Sequence, residues 1–149
     1  MREIQGGVVY DSGGVTIRAI PVLHGTWKWA FGYRIDAAGR SIVISGDTRP
    51  CEALEAAARG VDLLIHEVYP AAHLAQESRP GGDDWIRYMR AFHTSDRELG
   101  ALAARALPKQ LVLYHVTNRG SMTNEELVQG VRQGGFLGAT VVGHDLDRY

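Results

Sequence analysis

Five short stretches of the 149-residue chain end an apolar run on a polar residue of ligand or acid/base type. They are Val22-Leu23-His24-Gly25, Ile44-Ser45-Gly46-Asp47-Thr48, Leu64-Ile65-His66-Glu67, Phe92-His93-Thr94-Ser95 and Leu113-Tyr114-His115. An apolar run that stops on His or Asp reads as a buried strand carrying a side chain to a shared rim. Five such ends in a chain long enough for one domain point to a single site assembled from several strands.

The segments between these ends set the fold class. Val8 to Tyr10, the turn Asp11-Ser12-Gly13-Gly14 and Val15 to Val22 read as strand, turn, strand. Phe31 to Asp36 and Ser41 to Ser45 form a second pair around Ala37 to Arg40. Pro50 can open a helix whose apolar residues are Ala53, Leu54, Ala57 and Ala58, stopped by Gly60. Val61 to Ile65 is a short apolar strand. Residues 68–82, with two prolines and a Gly-Gly pair, read as a surface loop with His73 solvated, followed by a helix near Asp84 to Ala91.

Ser95-Asp96-Arg97-Glu98 and Thr123-Asn124-Glu125-Glu126 are capping boxes. Each opens a helix with an apolar stripe: Leu99, Leu102, Ala103 and Ala106 in the first, Leu127, Val128 and Val131 in the second. Leu111 to Tyr114 and Ala139 to Val142 are further strands. The order is β-hairpins, then β-α-β-α-β-α-β, an α/β layer architecture in one unit spanning residues 1–149.

Charge and cysteine content narrow the function classes. A formal net charge of −1 offers no global field for nucleic acid or an anionic membrane. No basic-aromatic stripe marks a nucleic-acid-binding module. Cys51 is the sole cysteine, so no intrachain disulfide is possible and a reducing cytoplasm is the expected setting. No apolar run approaches the roughly 18 residues of a membrane span, and the N-terminus shows no signal-peptide apolar region.

His and Asp are natural ligands for a divalent metal such as zinc, and a carboxylate such as Asp47 has two oxygens with which to bridge two ions. The alternative for Asp47 is a cap on the helix near Pro50. For His24 and His115 it is a hydrogen-bonded, partly buried imidazole without a ligand. Glu67 and His93 suit another role, an imidazole oriented by a carboxylate for proton transfer. The alternative there is a helix cap at Thr94 or Ser95 with His93 an incidental neighbour. Consecutive strand residues face opposite ways, so Glu67 is expected at the site and His66 in the packing. His144 ends another strand and could reach the rim, although a histidine without a role there is the stronger reading.

Taken in order, Val-Leu-His-Gly, Phe-Gly-Tyr-Arg-Ile, Ser-Gly-Asp-Thr-Arg, Leu-Leu-Ile-His-Glu, His-Thr-Ser and Leu-Val-Leu-Tyr-His resemble the metallo-β-lactamase superfamily, in its ribonuclease Z and arylsulfatase-like branch. The resemblance runs from about Val8 to Tyr149. It implies an αββα sandwich, of which this chain would form the C-terminal half as a mixed sheet with helices on one face. By resemblance His24, Asp47 and His115 match metal ligands, Asp47 being the bridging carboxylate of a two-zinc site. His93, assisted by Glu67, matches the residue that protonates the leaving group.

The family's H-x-H-x-D-H segment is absent: no two of the six histidines are separated by one residue. The expectation is therefore a half-domain with weak metal binding or none. Its uncovered sheet face would be occupied by a second copy or by a complementary N-terminal half. The implied activity is zinc-dependent hydrolysis of phosphodiester or related bonds. RNA is one substrate, through tRNA 3′ processing. Trp85, Tyr88 and Phe92 instead suggest a hydrophobic lid for a smaller ester. The competing expectation is a non-catalytic half-domain acting through association.

Overall fold

The computed structural model describes residues 3–74, 83–117 and 122–149. β1 (Gly7–Ser12), β2 (Val15–Pro21), β3 (Phe31–Ala37) and β4 (Arg40–Ile44) form an antiparallel meander. From β4 the pairing turns parallel, through β5 (Leu63–Val68), β6 (Gln110–Val116) and β7 (Ala139–Val142). Strand order in the mixed sheet follows chain order. Tight turns suffice between antiparallel neighbours, whereas parallel ones require crossovers. Those crossovers contain α1 (Glu52–Ala57), then α2 (Ala71–Leu74), α3 (Asp83–Phe92) and α4 (Asp96–Ala106), then α5 (Asn124–Gln133).

Strand register sorts side chains onto two faces. Val43, Leu64 and Leu111 are mutual neighbours across β4, β5 and β6. They are fully buried in one core with Leu54 of α1, Leu99, Leu102 and Ala103 of α4, and Leu127 and Val131 of α5. The opposite face carries the rows Ile17-Ile35-Ile42-Leu63 and Tyr33-Ile44-Ile65-Val112. All of these but Val112 are only half-buried, and none belongs to the core under the helices. The helices thus cover one face, as the family resemblance implied. No described helix is long and apolar enough to cross a membrane.

Both capping boxes form: the Ser95 and Thr123 hydroxyls accept from the Glu98 and Glu126 amides, and each glutamate reaches back to its cap. Three details depart from the sequence reading. α1 begins at Glu52 with Cys51 as its N-cap, two residues after Pro50, which leaves Asp47 with no capping role. β5 runs on to Val68 because His66, Glu67 and Val68 still pair with β6. Of the expected loop 68–82, Val68 belongs to β5 and Ala71–Leu74 to α2, while residues 75–82 lie outside the described residues. There Tyr69 bridges to Ser95 and is buried with Leu74 and Met89 in a satellite core, and His73 is half-buried rather than solvated.

Candidate active site

Four of the five segments meet at one rim, although the run ending on Phe92-His93 closes helix α3 and is not the buried strand expected. Leu23 pairs with Arg49 in an isolated bridge, and the Leu23 amide donates to Thr48 Oγ1 at 3.1 Å. The segment after β2 therefore lies along the loop after β4, which sets His24 beside Asp47. Gly46 permits the turn between β4 and Asp47: its φ is +62°, and a Cβ there would lie 2.5 Å from the Phe31 carbonyl oxygen. Gly25, at φ +55°, has the Phe92 ring over it, 2.0 Å from where a Cβ would be. Its amide donates to Ala91 at 3.1 Å. The end of α3 is thus clamped onto the His24 loop.

Ligand atoms of His24, Asp47 and His93 all lie within 4.8 Å of one another, a spacing able to hold a metal ion. His24 Nδ1 is 2.9 Å from the Phe92 carbonyl oxygen, so as the donor it leaves Nε2 free to ligate. His115 Nε2 stands 3.5 Å from Asp47 Oδ2, and the His93 and His115 rings are 6.0 Å apart. His115 reaches this position through a bulge. Glu67 pairs with Tyr114 and Val68 with Val116, so His115 is the extra residue, at φ 44°. Bulges re-aim side chains in this way, and a left-handed non-glycine residue stores strain where the surroundings hold it. No feature of Leu-Val-Leu-Tyr-His in the sequence announced it.

Glu67 lies behind His93. It is fully buried, and its Oε1 accepts from three donors: His93 Nδ1 at 3.2 Å, the Thr94 amide at 3.2 Å and the Thr48 amide at 3.1 Å. Thr94 Oγ1 donates to the Thr48 carbonyl at 2.6 Å. One carboxylate oxygen therefore joins the Asp47 loop, β5 and the His93 segment. The sequence reading paired Glu67 with His93 but missed Thr48 and Thr94, because backbone amides leave no trace in residue types. Glu67 Oε2 is buried with no hydrogen-bond partner among the described residues.

His66 takes the opposite face, as alternation required, and is fully buried with Nδ1 donating to the Glu67 carbonyl at 2.6 Å. Burial holds its pKa below the ordinary histidine value. His144 is exposed beside Asp147 and Asn124.

The His93 pKa moves the other way. Burial alone would lower it, but the hydrogen bond and charge of Glu67, joined by Asp47, hold it above the ordinary value. In the metal-free protein a histidine raised on folding contributes stability that is complete below its unfolded pKa of about 6.5. That contribution fades as pH rises through the higher folded value. Melting scans in chelator should show this decline above about pH 6.5, and it should be absent from Glu67→Gln. An unchanged slope in that variant would remove Glu67 as the cause.

The β-lactamase superfamily domain model matches residues 1–116. Ribonuclease Z from Mycobacterium bovis (strain BCG / Pasteur 1173P2) is 34% identical over 148 residues, covering 99% of this chain and 51% of the relative. Ribonuclease Z from Mycobacterium tuberculosis (strain ATCC 25618 / H37Rv) is likewise 34% identical, with 53% of its length covered. Among solved structures, the metallo-β-lactamase fold protein YhfI from Bacillus subtilis aligns with a TM-score of 0.67 at 20% identity, over 93% of this chain and 49% of that one. Human tRNase Z, short form, aligns at 0.62 and 19% identity, over 95% of this chain and 45% of that one. The chain spans about half the length of the curated relatives it matches. It belongs to the β-lactamase superfamily domain family, in the ribonuclease Z-like branch of the metallo-β-lactamase fold.

Proposed function

We propose that the chain supplies one side of a zinc-dependent hydrolase site acting on phosphodiester or related bonds. The supporting observation is the convergence of His24, Asp47 and His93 within 4.8 Å, with His115 on Asp47 and Glu67 behind His93. The donors fit a borderline divalent ion: imidazole nitrogens and one carboxylate, with His24 oriented by a backbone carbonyl. His24, Asp47 and His115 would hold metal, leaving His93, although its ring stands within the same 4.8 Å triangle, for proton transfer. When bound, the metal supplies Lewis-acid activation of water and of the scissile bond.

The other roles belong to the chain's own groups. Glu67 accepts the His93 Nδ1 proton and fixes the ring, so Nε2 is the nitrogen that delivers a proton to the departing oxygen. RNA is one substrate this reading admits, because the curated relatives are ribonucleases Z. The half-buried apolar rows on the open sheet face support a partner there, either a complementary segment with the remaining ligands or a second copy. A reducing cytoplasm is the proposed setting, supported by the lone Cys51. The competing reading, a half-domain that only associates, rests on the absence of H-x-H-x-D-H from this chain.

A bis-p-nitrophenyl phosphate assay with zinc separates the two. Activity should emerge when a segment carrying H-x-H-x-D-H is supplied, and should fall about 10²- to 10⁴-fold in His93→Ala. Activity indifferent to His93 would remove its proton-donor role. Inactivity of every combination would favour the association module.

A further inference from the structure

β4 ends at Ile44, opposite Ile65, and the chain then turns at Gly46 toward Asp47. β5 continues past that point to Val68. Successive residues of a strand within a sheet present their peptide groups to alternate neighbours. Ile65 faces β4, because its carbonyl accepts from the Ser45 amide at 2.9 Å. Val68 faces β6, because its carbonyl accepts from the Thr117 amide at 3.1 Å. The peptide groups of Glu67 therefore point to the side that β4 has already left.

Two side chains take the place of the strand there. The Glu67 amide donates to Ser45 Oγ at 3.0 Å, and the Glu67 carbonyl accepts from His66 Nδ1 at 2.6 Å. Ser45 Oγ also donates to the Gly46 carbonyl at 2.6 Å, which ties the same serine to the turn before Asp47. Ser45, His66 and Glu67 are all buried. Packing alone does not account for His66. Its Nδ1 must carry the proton to reach a carbonyl, so Nε2 is a bare acceptor, buried with no hydrogen-bond partner among the described residues. An apolar side chain of similar size would avoid that cost. It could not supply the bond to the Glu67 carbonyl.

The carboxylate needs its backbone held. Glu67 Oε1 meets the Thr48 amide at 3.1 Å and the His93 ring and Thr94 amide at 3.2 Å. Hydrogen bonds weaken steeply with misalignment, so a swing of the Glu67 backbone would loosen all three together. We propose that His66 and Ser45 are positioning residues for the Glu67–His93 pair, bracing the Glu67 backbone where β4 no longer supports it. The inference rests on the hydrolase reading above for the role of His93 as proton donor.

Hydrogen exchange of the full chain, read by mass spectrometry, tests the brace without turnover. The Thr48 and Thr94 amides donate to Glu67 Oε1 and so report its place. His66→Leu should speed their exchange about tenfold relative to the amides of β3, the scale of losing one hydrogen bond. His66→Asn, whose side-chain amide can replace Nδ1 as donor, should restore most of the protection. Ser45→Ala should act in the same direction as His66→Leu, and it decides the matter if the leucine variant does not fold. Equal acceleration in every strand, unchanged exchange at Thr48 and Thr94, or His66→Asn behaving as His66→Leu would each overturn the brace.

Turnover adds a second readout in the protein completed by the H-x-H-x-D-H segment. A poorly placed proton donor penalises poor leaving groups most. His66→Leu should lower kcat for diphenyl phosphate about tenfold more than for bis-p-nitrophenyl phosphate, with KM little changed. An equal loss for both esters would overturn the positioning role. No hydrolysis by the completed wild-type protein would overturn the hydrolase reading alone, and the exchange result would still decide the brace.

Discussion

Glu67→Ala should destabilise the protein by about 3–5 kcal/mol and lower its melting temperature by roughly 10–16 °C. The carboxylate is wholly buried, and three donors from two other segments converge on Oε1. Alanine leaves the Thr48 and Thr94 amides and the His93 ring with no acceptor in a site closed to solvent. Each orphaned buried donor costs about 1–3 kcal/mol. Glu67→Gln retains an oxygen for the two amides and should lose only about 1–2 kcal/mol. It removes the charge, however, so the His93 pKa should fall toward the ordinary value. Differential scanning calorimetry gives the first quantity and an NMR titration of His93 the second. A Glu67→Ala protein that melts within a few degrees of the parent would mean that the three hydrogen bonds do not hold the rim together.

The second large effect concerns the uncovered sheet face. Ile17, Ile35, Ile42 and Leu63 form one apolar row, and Tyr33, Ile44 and Ile65 most of the next. These side chains are half-buried beside one another, a contiguous surface of the kind monomers avoid. The chain alone should therefore self-associate at micromolar concentration, and it should bind a hydrophobic dye. Replacing Ile42 and Ile65 with lysine should shift the sedimentation profile to monomer and remove most dye binding, because two charges on the face cannot be buried without partners. Both residues lie opposite the helix core, so far-UV circular dichroism should be unchanged. A monodisperse wild-type monomer without dye binding would show that the face is satisfied within the chain.

Much of the fold was legible because it rests on periodicity. Val43, Leu64 and Leu111 lie in short apolar runs, rich in β-branched residues or bounded by turn signals, that read as buried strands, and two Ser/Thr-x-x-Glu boxes marked the main helix starts. The division between His66 and Glu67 followed from strand alternation, and the structure places them on opposite faces. Less of the site was legible, because its geometry depends on contacts between distant segments. The bulge that turns His115 toward Asp47 is an irregularity of pairing, not of composition. His93 shares the metal-capable triangle with His24 and Asp47, a closeness created by Phe92 packing over Gly25 some 68 residues from its hydrogen-bonded partner His24. The stacking of Trp85, Tyr88 and Phe92 along α3 was visible only as aromatic residues at helical spacing, and its closure against His93 required the fold.

On the proposed reading, this chain holds one side of a two-ion site built on Asp47. Metal analysis of the purified chain after equilibration with zinc tests it most directly, alongside His24→Ala and Asp47→Ala. Well below two zinc ions per chain should remain after desalting, and both substitutions should reduce even that. Two tightly held ions in the chain alone, or zinc retention indifferent to Asp47, would contradict it.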